Sequence, residues 1–524
     1  MKGKIISALL VLCVSLALLP ATVSAAPDDF SRDDIAKINA MIDANSHLGW
    51  AKAPEDGSSV PADWDYHVFW TSETPKRIND LDLSSLNLTG TLDLSGLTSL
   101  AYLYCDVNQL SSLNVSGLTA LKEFDCSANQ LSSLNVSGLT SLTALDCRCN
   151  QLSSLNVSGL TSLKRLFCCY NQLTGTLDVS GLTALEDFDC SANQLSSLDA
   201  SGLTSLKRLD CCNNQLSSLN VSGLTSLDYL FCYVNQLSFL DVSGLTSLKR
   251  LDCSANQLTG TLDVSGLTDL EEFDCSANQL SSLNASGLPD LERLFCYGNQ
   301  LSSLDVSGLT SLTVLSCYDN QLSSLDVSSL TSLDYLGCYK NQLSSLDVSG
   351  LTSLTALDCY NNQLSSLNLS GLPDLFFLDC RYNYMADTSA VTGQIIFWDD
   401  VEYLFNPQYR RITYNANGGG GAMASEIAID GEEFELPEND FTAPAGKRFK
   451  TWAVGSEAGP QVDPGNTHVF TADTTVYAVW ELTTPQTGDN TGIYLWTSLM
   501  LFAAAGLILT LRLSVRKKIK KQRD

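Results

Sequence analysis

The chain has 524 residues, of which 44% are hydrophobic, and its 58 acidic residues against 30 basic ones give a formal net charge of −28. This length can hold several domains, and the composition is that of a globular protein. A surface with such an excess of negative charge repels phosphate groups, so we expect no binding to nucleic acid.

The N-terminus is typical of a secretory signal peptide. Lys2 and Lys4 come before an apolar run, and the small residues up to Ala25 suit a cleavage site. We predict a signal peptide over 1–25, which implies that the rest of the chain is exported. The alternative is a buried N-terminal helix.

Residues 26–77 are predicted to form an N-terminal cap. Ser31, with acidic residues just after it, suits the start of a helix, and Ile35, Ile38 and Ile42 form one apolar helix face. Aromatic residues later in this segment can cover the exposed first coil of a repeat array, since the ends of such arrays otherwise show their core to water.

A unit of 21 or 22 residues repeats from 78 to about 385. Each copy reads close to Leu-x-x-Leu-x-Cys-x-x-Asn-Gln-Leu, followed by a second apolar half. The alternation in Leu-x-Cys predicts a short strand with its apolar side chains facing inward. The Asn suits the turn that follows, where its side-chain amide can bond backbone groups that the turn leaves unpaired. Because one unit cannot bury its apolar face alone but stacked units can, the sequence predicts a mainly β solenoid of about 15 coils. The repeated Asn stands at positions 108, 129, 150, 171, 193, 214, 235, 256, 278, 299, 320, 341, 362 and 383.

This unit resembles the leucine-rich repeat, whose consensus is Leu-x-x-Leu-x-Leu-x-x-Asn-x-Leu, with Cys in place of the third Leu. Repeats of this length are similar to those of the internalin family of bacterial surface proteins. The resemblance implies a curved solenoid over 78–385 with a short helical N-terminal cap. It also implies that the strands form a concave face, which is the usual binding surface of such proteins.

Fourteen of the 18 cysteines occupy one column of the repeat, three residues before each Asn. Each replaces a core leucine, so we predict a buried row of reduced thiols; disulfides between neighbouring coils are one alternative and a metal site is another. A straight row does not give the tetrahedral cluster that zinc requires, and no metal or cofactor is predicted. The column consists of Cys105, Cys126, Cys147, Cys168, Cys190, Cys211, Cys232, Cys253, Cys275, Cys296, Cys317, Cys338, Cys359 and Cys380.

Three further cysteines lie off this column, at positions predicted to point outward. Cys169 and Cys212 share one repeat position two coils apart, which is too far for a bridge, since coils stack at about 4.8 Å. Cys149 and Cys169 lie on adjacent coils, about 6 Å apart by the same spacings. A Cys149–Cys169 disulfide is therefore a hypothesis.

The outward positions of the predicted strands vary while the core positions do not. Aspartates dominate the position four before each Asn, and tyrosines occupy the position two before it on four successive coils. Tyr and Arg are enriched at interface hot spots, so these positions form a candidate contact surface; the alternative is that the rings stack only to stabilise the solenoid. The candidate ligand-binding residues are Tyr229, Phe231, Tyr233, Phe295, Tyr297, Tyr318, Tyr335, Tyr339 and Tyr360.

After the array, residues 386–410 are predicted to be a C-terminal cap and linker that includes Ile395, Ile396, Phe397 and Trp398. Residues 411–482 carry Ile-Thr-Tyr-Asn-Ala-Asn-Gly-Gly near their start and Val-Tyr-Ala-Val-Trp near their end. This segment resembles the Listeria–Bacteroides repeat of bacterial surface proteins. That resemblance implies a small β-grasp-like domain that acts as a spacer or auxiliary binding module.

The C-terminus resembles the sorting signal of Gram-positive cell-wall proteins. Residues 483–492 contain Thr-Pro-Gln-Thr-Gly, then 493–511 is an uncharged span long enough to cross a membrane, and 512–524 is a basic cytoplasmic tail. The resemblance implies recognition by a sortase at Pro485, cleavage between Thr487 and Gly488, and attachment to peptidoglycan. Thr484 stands where the family has Leu, and the alternative is a plain membrane anchor.

Together these features predict an extracellular binding or adhesion protein, anchored to the cell wall or plasma membrane of a Gram-positive bacterium, with an unnamed protein or glycan partner. The three histidines lie outside the repeats and outside any acid–base constellation, so we predict no enzyme activity. The alternative function is a structural cell-wall spacer or surface-layer component without a specific ligand.

Overall fold

The computed structural model describes residues 29–393, 398, 399 and 401–483. The predicted signal peptide, sorting motif, membrane span and basic tail lie outside the described residues, as do Ile395, Ile396 and Phe397. Within the described ranges, no helix is both long and apolar enough to cross a membrane. The chain divides into two compact units, the first ending at Gln408 and the second beginning at Tyr409.

The first unit opens with helix α1, Arg32–Ala44. Ser31 caps it, since its side chain accepts a hydrogen bond from the Asp34 backbone N–H. The apolar face that contains Ile35 and Ile38 is buried against the first coil. Short 3-10 helices follow at Ser46–Leu48 and Ala62–Trp64, and a third lies at Thr388–Ala390.

Seventeen strands of the described chain form one large sheet along the solenoid. The first strand pairs antiparallel with the second, and all the others pair parallel with their leucines in register from coil to coil. The strands are Val68–Trp70, Ile78–Asp82, Tyr102–Tyr104, Glu123–Asp125, Ala144–Asp146, Arg165–Phe167, Asp187–Asp189, Arg208–Asp210, Tyr229–Phe231, Arg250–Asp252, Glu272–Asp274, Arg293–Phe295, Val314–Ser316, Tyr335–Gly337, Ala356–Asp358, Phe377–Asp379 and Tyr403–Leu404.

A second, discontinuous row of parallel strands follows the other half of the repeat. Three of its four pieces begin at a Thr-Gly-Thr sequence. Its strands are Thr89–Asp93 and Gln109–Asn114, then Thr174–Thr176, Gln194–Asp199 and Ser218–Asn220, then Thr259–Asp263 and Gln279–Asn284, and last Leu367–Asn368 and Val391–Thr392.

The repeated Asn joins each coil to the one before it. Asn235, for example, donates through Nδ2 to the carbonyl oxygens of Cys211 at 3.0 Å and Cys232 at 3.1 Å. Its Oδ1 accepts the N–H of Leu216 at 2.9 Å. The preceding residue, Val234, has a left-handed φ of 54°. The prediction that this Asn satisfies backbone groups left unpaired by the turn is confirmed.

The fourteen column cysteines are buried, each with 0% of its surface exposed, and each is a free thiol in the structure. Burial raises the pKa of Cys317 to about 12, which holds it as a neutral thiol. The prediction that these cysteines lie in the core is confirmed. They form a continuous apolar row together with the leucines of the same strands.

Cys169 and Cys212 lie at the outward position two residues before the Asn, but each is only 4% exposed, which the sequence did not predict. Neighbouring polar side chains cover these small thiols. The Tyr233 hydroxyl, one coil further on, donates a hydrogen bond to Cys212, and the Cys169 thiol donates one to the Asp189 carboxylate. A cysteine at a surface position is therefore buried when the side chains around it are larger.

The second unit is built of strands in its described residues. Five of them form a mixed sheet in which the first and last strands of the unit lie parallel side by side, and the other two form a separate antiparallel pair. The core contains Ile412, Trp452, Phe470 and Val476. The strands are Tyr409–Asn415, Glu426–Ile429, Glu433–Glu435, Lys447–Val454, Gln461–Val462, Thr467–Val469 and Thr474–Leu482.

Candidate binding face

The outward side chains of the large parallel sheet form a surface that we call the strand face. Residues five and three before each Asn point into the core, so residues six, four and two before it point outward. Because the strands are in register, each outward position forms a column along the solenoid. All nine candidate ligand-binding residues lie on this face, and each is half-buried.

Four of these residues form a continuous stack that we call the tyrosine column: Tyr297, Tyr318, Tyr339 and Tyr360. Successive ring centroids lie 4.3, 4.1 and 4.5 Å apart, and the ring planes differ by 10°, 9° and 13°. The faces of the inner rings are therefore covered by other rings. What the column offers a ligand is its row of ring edges and hydroxyl groups.

The position four before each Asn forms what we call the acidic column. It carries Asp125, Asp146, Asp189, Asp210, Asp252, Asp274, Asp358 and Asp379, and it is interrupted by Phe167, Phe231, Phe295, Ser316 and Gly337. Burial, and next the charge of the neighbouring Asp125, raises the pKa of Asp146 to about 6. Three successive coils, from Phe295 to Gly337, have no carboxylate at this position. This gap in the acidic column, which we call the neutral segment, lies beside the tyrosine column.

Phe231 and Tyr229 lie in the middle of the solenoid and contact other side chains of the strand face. The guanidinium groups of Arg208 and Arg250, on the coils before and after, lie 4.9 and 5.7 Å from the Phe231 ring centroid. The Tyr229 and Phe231 rings are 6.5 Å apart. These cation–π contacts place positive charge around the aromatic ring on a face that is otherwise acidic.

Tyr335 lies within the neutral segment, over Gly337. A Cβ atom on Gly337 would lie 2.7 Å from the Tyr335 hydroxyl oxygen and 3.0 Å from its Cε1, so no larger residue fits there without moving the ring. The hydroxyl end of the Tyr335 ring thus lies over Gly337, and the residue is half-buried. Burial raises the pKa of Tyr335 to about 12.

A depression of the strand face near its N-terminal end was not singled out by the sequence. It has a volume of about 160 Å³ and is lined by residues that include Tyr104, Glu123, Asp146, Arg165 and Phe167. The Tyr104 hydroxyl donates to Glu123 Oε2 at 3.1 Å. Tyr104 occupies the position of the acidic column, and that departure from Asp is the signal that could have revealed it.

The thiols of Cys149 and Cys169 are free in the structure, and Cys149 is exposed. Their backbones are joined, since the Cys149 N–H donates to the Cys169 carbonyl oxygen at 3.0 Å. The disulfide between them stays a prediction. Pro485, Thr487 and Gly488 lie outside the described residues. In the ranges that the structure covers, no group of three or more His, Cys, Asp or Glu side chains is placed to hold a metal ion.

Comparison with known proteins adds to this geometry. Residues 411–479 match the family model of the Listeria-Bacteroides repeat domain. The functional domain of InlJ from Listeria monocytogenes, described as including a cysteine ladder, is 25% identical with a TM-score of 0.50, over 73% of this chain and 90% of that one. The solenoid is a leucine-rich-repeat fold.

Two other solved structures are also similar to this leucine-rich-repeat solenoid. The internalin InlF of Listeria monocytogenes is 23% identical with a TM-score of 0.44, over 71% of this chain and 95% of that one. A leucine-rich-repeat protein of Leptospira interrogans is 26% identical with a TM-score of 0.46, over 54% of this chain and 90% of that one. No curated protein matches the chain.

Proposed function

We propose that the chain is a cell-surface binding protein whose strand face contacts a protein partner. The observation that carries this proposal is the aromatic cluster on that face, where the half-buried tyrosine column adjoins the neutral segment that contains Tyr335. Tyr is enriched at interface hot spots because its ring gives large contact area and its hydroxyl gives a hydrogen bond. The likeness to the InlJ functional domain supports a surface protein that binds.

A protein is favoured over a glycan because of how the rings lie. A sugar ring stacks on the face of an aromatic ring, and the faces inside the tyrosine column are covered by neighbouring rings 4.1–4.5 Å away. Hydroxyl groups and ring edges suit the backbone and polar side chains of a protein surface. We propose no catalytic activity for this chain.

A structural spacer is the second candidate, and the same stack favours it. Parallel rings at these distances contribute about 0.5–1.5 kcal/mol per pair beyond the area they bury, so the column also stabilises the coils that carry it. On this account the tyrosines strengthen the solenoid and contact no ligand.

The location that we propose is the outside of a Gram-positive cell. A signal peptide over 1–25 exports the chain, and a sortase joins Thr487 to peptidoglycan or the span at 493–511 holds it in the membrane. The order of motif, apolar span and basic tail supports this arrangement. The match of residues 411–479 to a repeat domain of surface proteins agrees with it.

Substitutions in the tyrosine column separate the two candidates. The purified protein is screened against arrays of cell-surface proteins and glycans, and the partner found is then tested against Tyr318→Ser/Tyr339→Ser and Tyr318→Phe/Tyr339→Phe. We expect the Ser variant to lose binding at least tenfold and the Phe variant, which keeps the stack but lacks the hydroxyls, to lose it in part. A silent screen, or a Ser variant that only lowers the melting temperature, would favour the spacer.

A further inference from the structure

Most carboxylates of the acidic column are bonded by a side chain two residues later in the same coil. Ser254 Oγ donates to Asp252 at 2.6 Å, and Arg381 makes three hydrogen bonds to Asp379 through Nε and Nη2. The side-chain partners of this kind are Arg148, Ser191, Ser254, Ser276 and Arg381. Most carboxylates of the acidic column therefore have a hydrogen-bonding or ion-pairing partner within their own coil.

Asp358 departs from this rule. The residue two positions later is Tyr360, whose ring belongs to the tyrosine column and lies 4.5 Å from that of Tyr339. Asp358 accepts a hydrogen bond from the Tyr360 backbone N–H and none from its side chain. Among the described residues, Asp358 Oδ1 is buried and accepts no hydrogen bond. A buried carboxylate oxygen without a donor is costly, because it has lost water and gained nothing in exchange.

Two other buried oxygens of the strand face share this condition in the described chain, and they differ in their surroundings. Asp187 Oδ1 has the Arg208 guanidinium 3.9 Å away. Asp80 lies in the opening coil, far along the sheet from the tyrosine column. Asp358 is the one of the three that adjoins the aromatic cluster.

The coil before Asp358 carries an aromatic ring close to that residue. Gly337 pairs with Asp358 across the two strands, and the ring of Tyr335 lies over Gly337. The ring of Tyr335 thus lies beside the strand position of Asp358. The nearest cation of the column, Arg381, is already bonded to Asp379 through Nε and Nη2.

We propose that Asp358 and the half-buried ring of Tyr335 form a binding site for an arginine side chain of a partner protein. This inference rests on the proposed binding role of the strand face. A guanidinium group is planar, stacks on aromatic faces and donates to a carboxylate, so it fits both features at once. The net charge of −28 favours the approach of a basic surface.

The test uses a small probe and a matched pair of variants of the full chain. The peptide acetyl-Gly-Arg-Gly-amide is titrated by calorimetry or ligand-observed NMR against the wild type, Asp358→Asn and Asp274→Asn. Asp274 belongs to the same acidic column but is bonded to Ser276, so it controls for the loss of one negative charge. Peptides with citrulline or lysine in place of arginine test charge and planarity.

We expect Asp358→Asn to weaken binding of the arginine peptide at least tenfold and Asp274→Asn to change it less than twofold. The citrulline peptide should not bind, and the lysine peptide should bind several-fold more weakly. Equal affinity of Asp358→Asn and wild type, equal losses in both variants, or equal affinity for lysine would each overturn the arginine site. The melting temperature of Asp358→Asn should not fall, since the variant removes an unpaired buried charge.

The outcome is distinguishable from a failure of the proposed function. If the partner found on the array loses affinity for the tyrosine-column variants but Asp358→Asn binds the arginine peptide like the wild type, the strand face binds and the arginine site is wrong. If the peptide binds through Asp358 but no array protein binds, the arginine site stands and the proposed function is wrong.

Discussion

The aspartates of the solenoid differ in the direction in which their surroundings shift the pKa. Burial, and next the charge of Asp379, raises the pKa of Asp358 from its ordinary value to about 7, while Arg381 and the Tyr360 N–H oppose that rise. Carboxylates of the opposite strand row behave otherwise: hydrogen bonds from Ser307 lower the pKa of Asp305. The pKa of an aspartate in the array is therefore set by its neighbours and not by residue type alone.

The raised pKa of Asp358 predicts a pH dependence of stability. The folded protein binds the Asp358 proton more tightly than the unfolded chain does, so its contribution is fully present below about pH 4 and is lost as the pH rises to about 7, a change on the order of 4 kcal/mol. In Asp358→Asn this part of the dependence should disappear. Denaturant unfolding from pH 4 to pH 8 measures it.

The control for this prediction is Asp319→Asn, which removes an exposed carboxyl outside the acidic column. Its unfolding free energy should follow the wild-type pH profile. If Asp358→Asn and the wild type have parallel profiles over the whole range, the carboxyl of Asp358 titrates in the folded protein as it does in the unfolded chain.

At the scale of the element, the coil is held by the turn as much as by the strand. Most coils contribute only a three-residue strand to the large sheet, which gives few ladder hydrogen bonds. The Asn side chain adds bonds to the carbonyl oxygens of two coils and accepts an N–H from the earlier one. Stability in such arrays is a sum of coil and neighbour contributions, so one turn affects the coils on both sides.

Replacement of Asn235 by Ala should destabilise the solenoid by roughly 2–4 kcal/mol, because buried carbonyl groups of Cys211 and Cys232 and the N–H of Leu216 lose their partner. Chemical denaturation measures the change, and hydrogen exchange should show loss of protection centred on these coils. Gln236→Ala, at the exposed next position, should change stability by less than about 0.5 kcal/mol. Equal effects of the two variants would contradict the turn's role.

At the scale of the whole molecule, the N-terminal cap is tied to the array by one buried carboxylate. Asp34 is 0% exposed and accepts hydrogen bonds from Arg77 Nε at 2.9 Å and from the Ile78 N–H at 2.8 Å. Ile78 begins the second strand of the large sheet. These hydrogen bonds therefore join helix α1 to this strand at the N-terminal end of the core.

Asp34→Ala should lower the unfolding free energy of the first unit by roughly 3–5 kcal/mol, since it leaves the Arg77 charge and the Ile78 N–H without their buried partner. Calorimetry should show an earlier solenoid transition and an unchanged transition of the unit that begins at Tyr409. Lys37→Ala, which removes a more exposed ion pair with Asp93, should cost less than about 1 kcal/mol. A shift of both transitions in Asp34→Ala would contradict the independence of the two units.

Much of the solenoid could be predicted because the sequence pattern of each repeat is enough to specify its strand and its turn. The alternation of Leu and Cys gives a strand with one buried face, and Asn235 and its equivalents give the turn, so these features need only neighbouring residues and one adjacent coil. The helix face of Ile35 and Ile38 follows from local periodicity in the same way.

The strand face was decided by contacts between coils, which the linear sequence does not order. The sequence placed the candidate aromatics on this face, but only packing covers Cys212 with Tyr233, lays Tyr335 over Gly337 and leaves Asp358 Oδ1 without a donor. These outcomes depend on side-chain volumes and rotamers about 21 residues apart, whereas strands and turns depend on pattern alone. The sequence by itself determined the repeat and its buried face; the tertiary structure decided which outward groups of the described residues are already paired and which have no partner there.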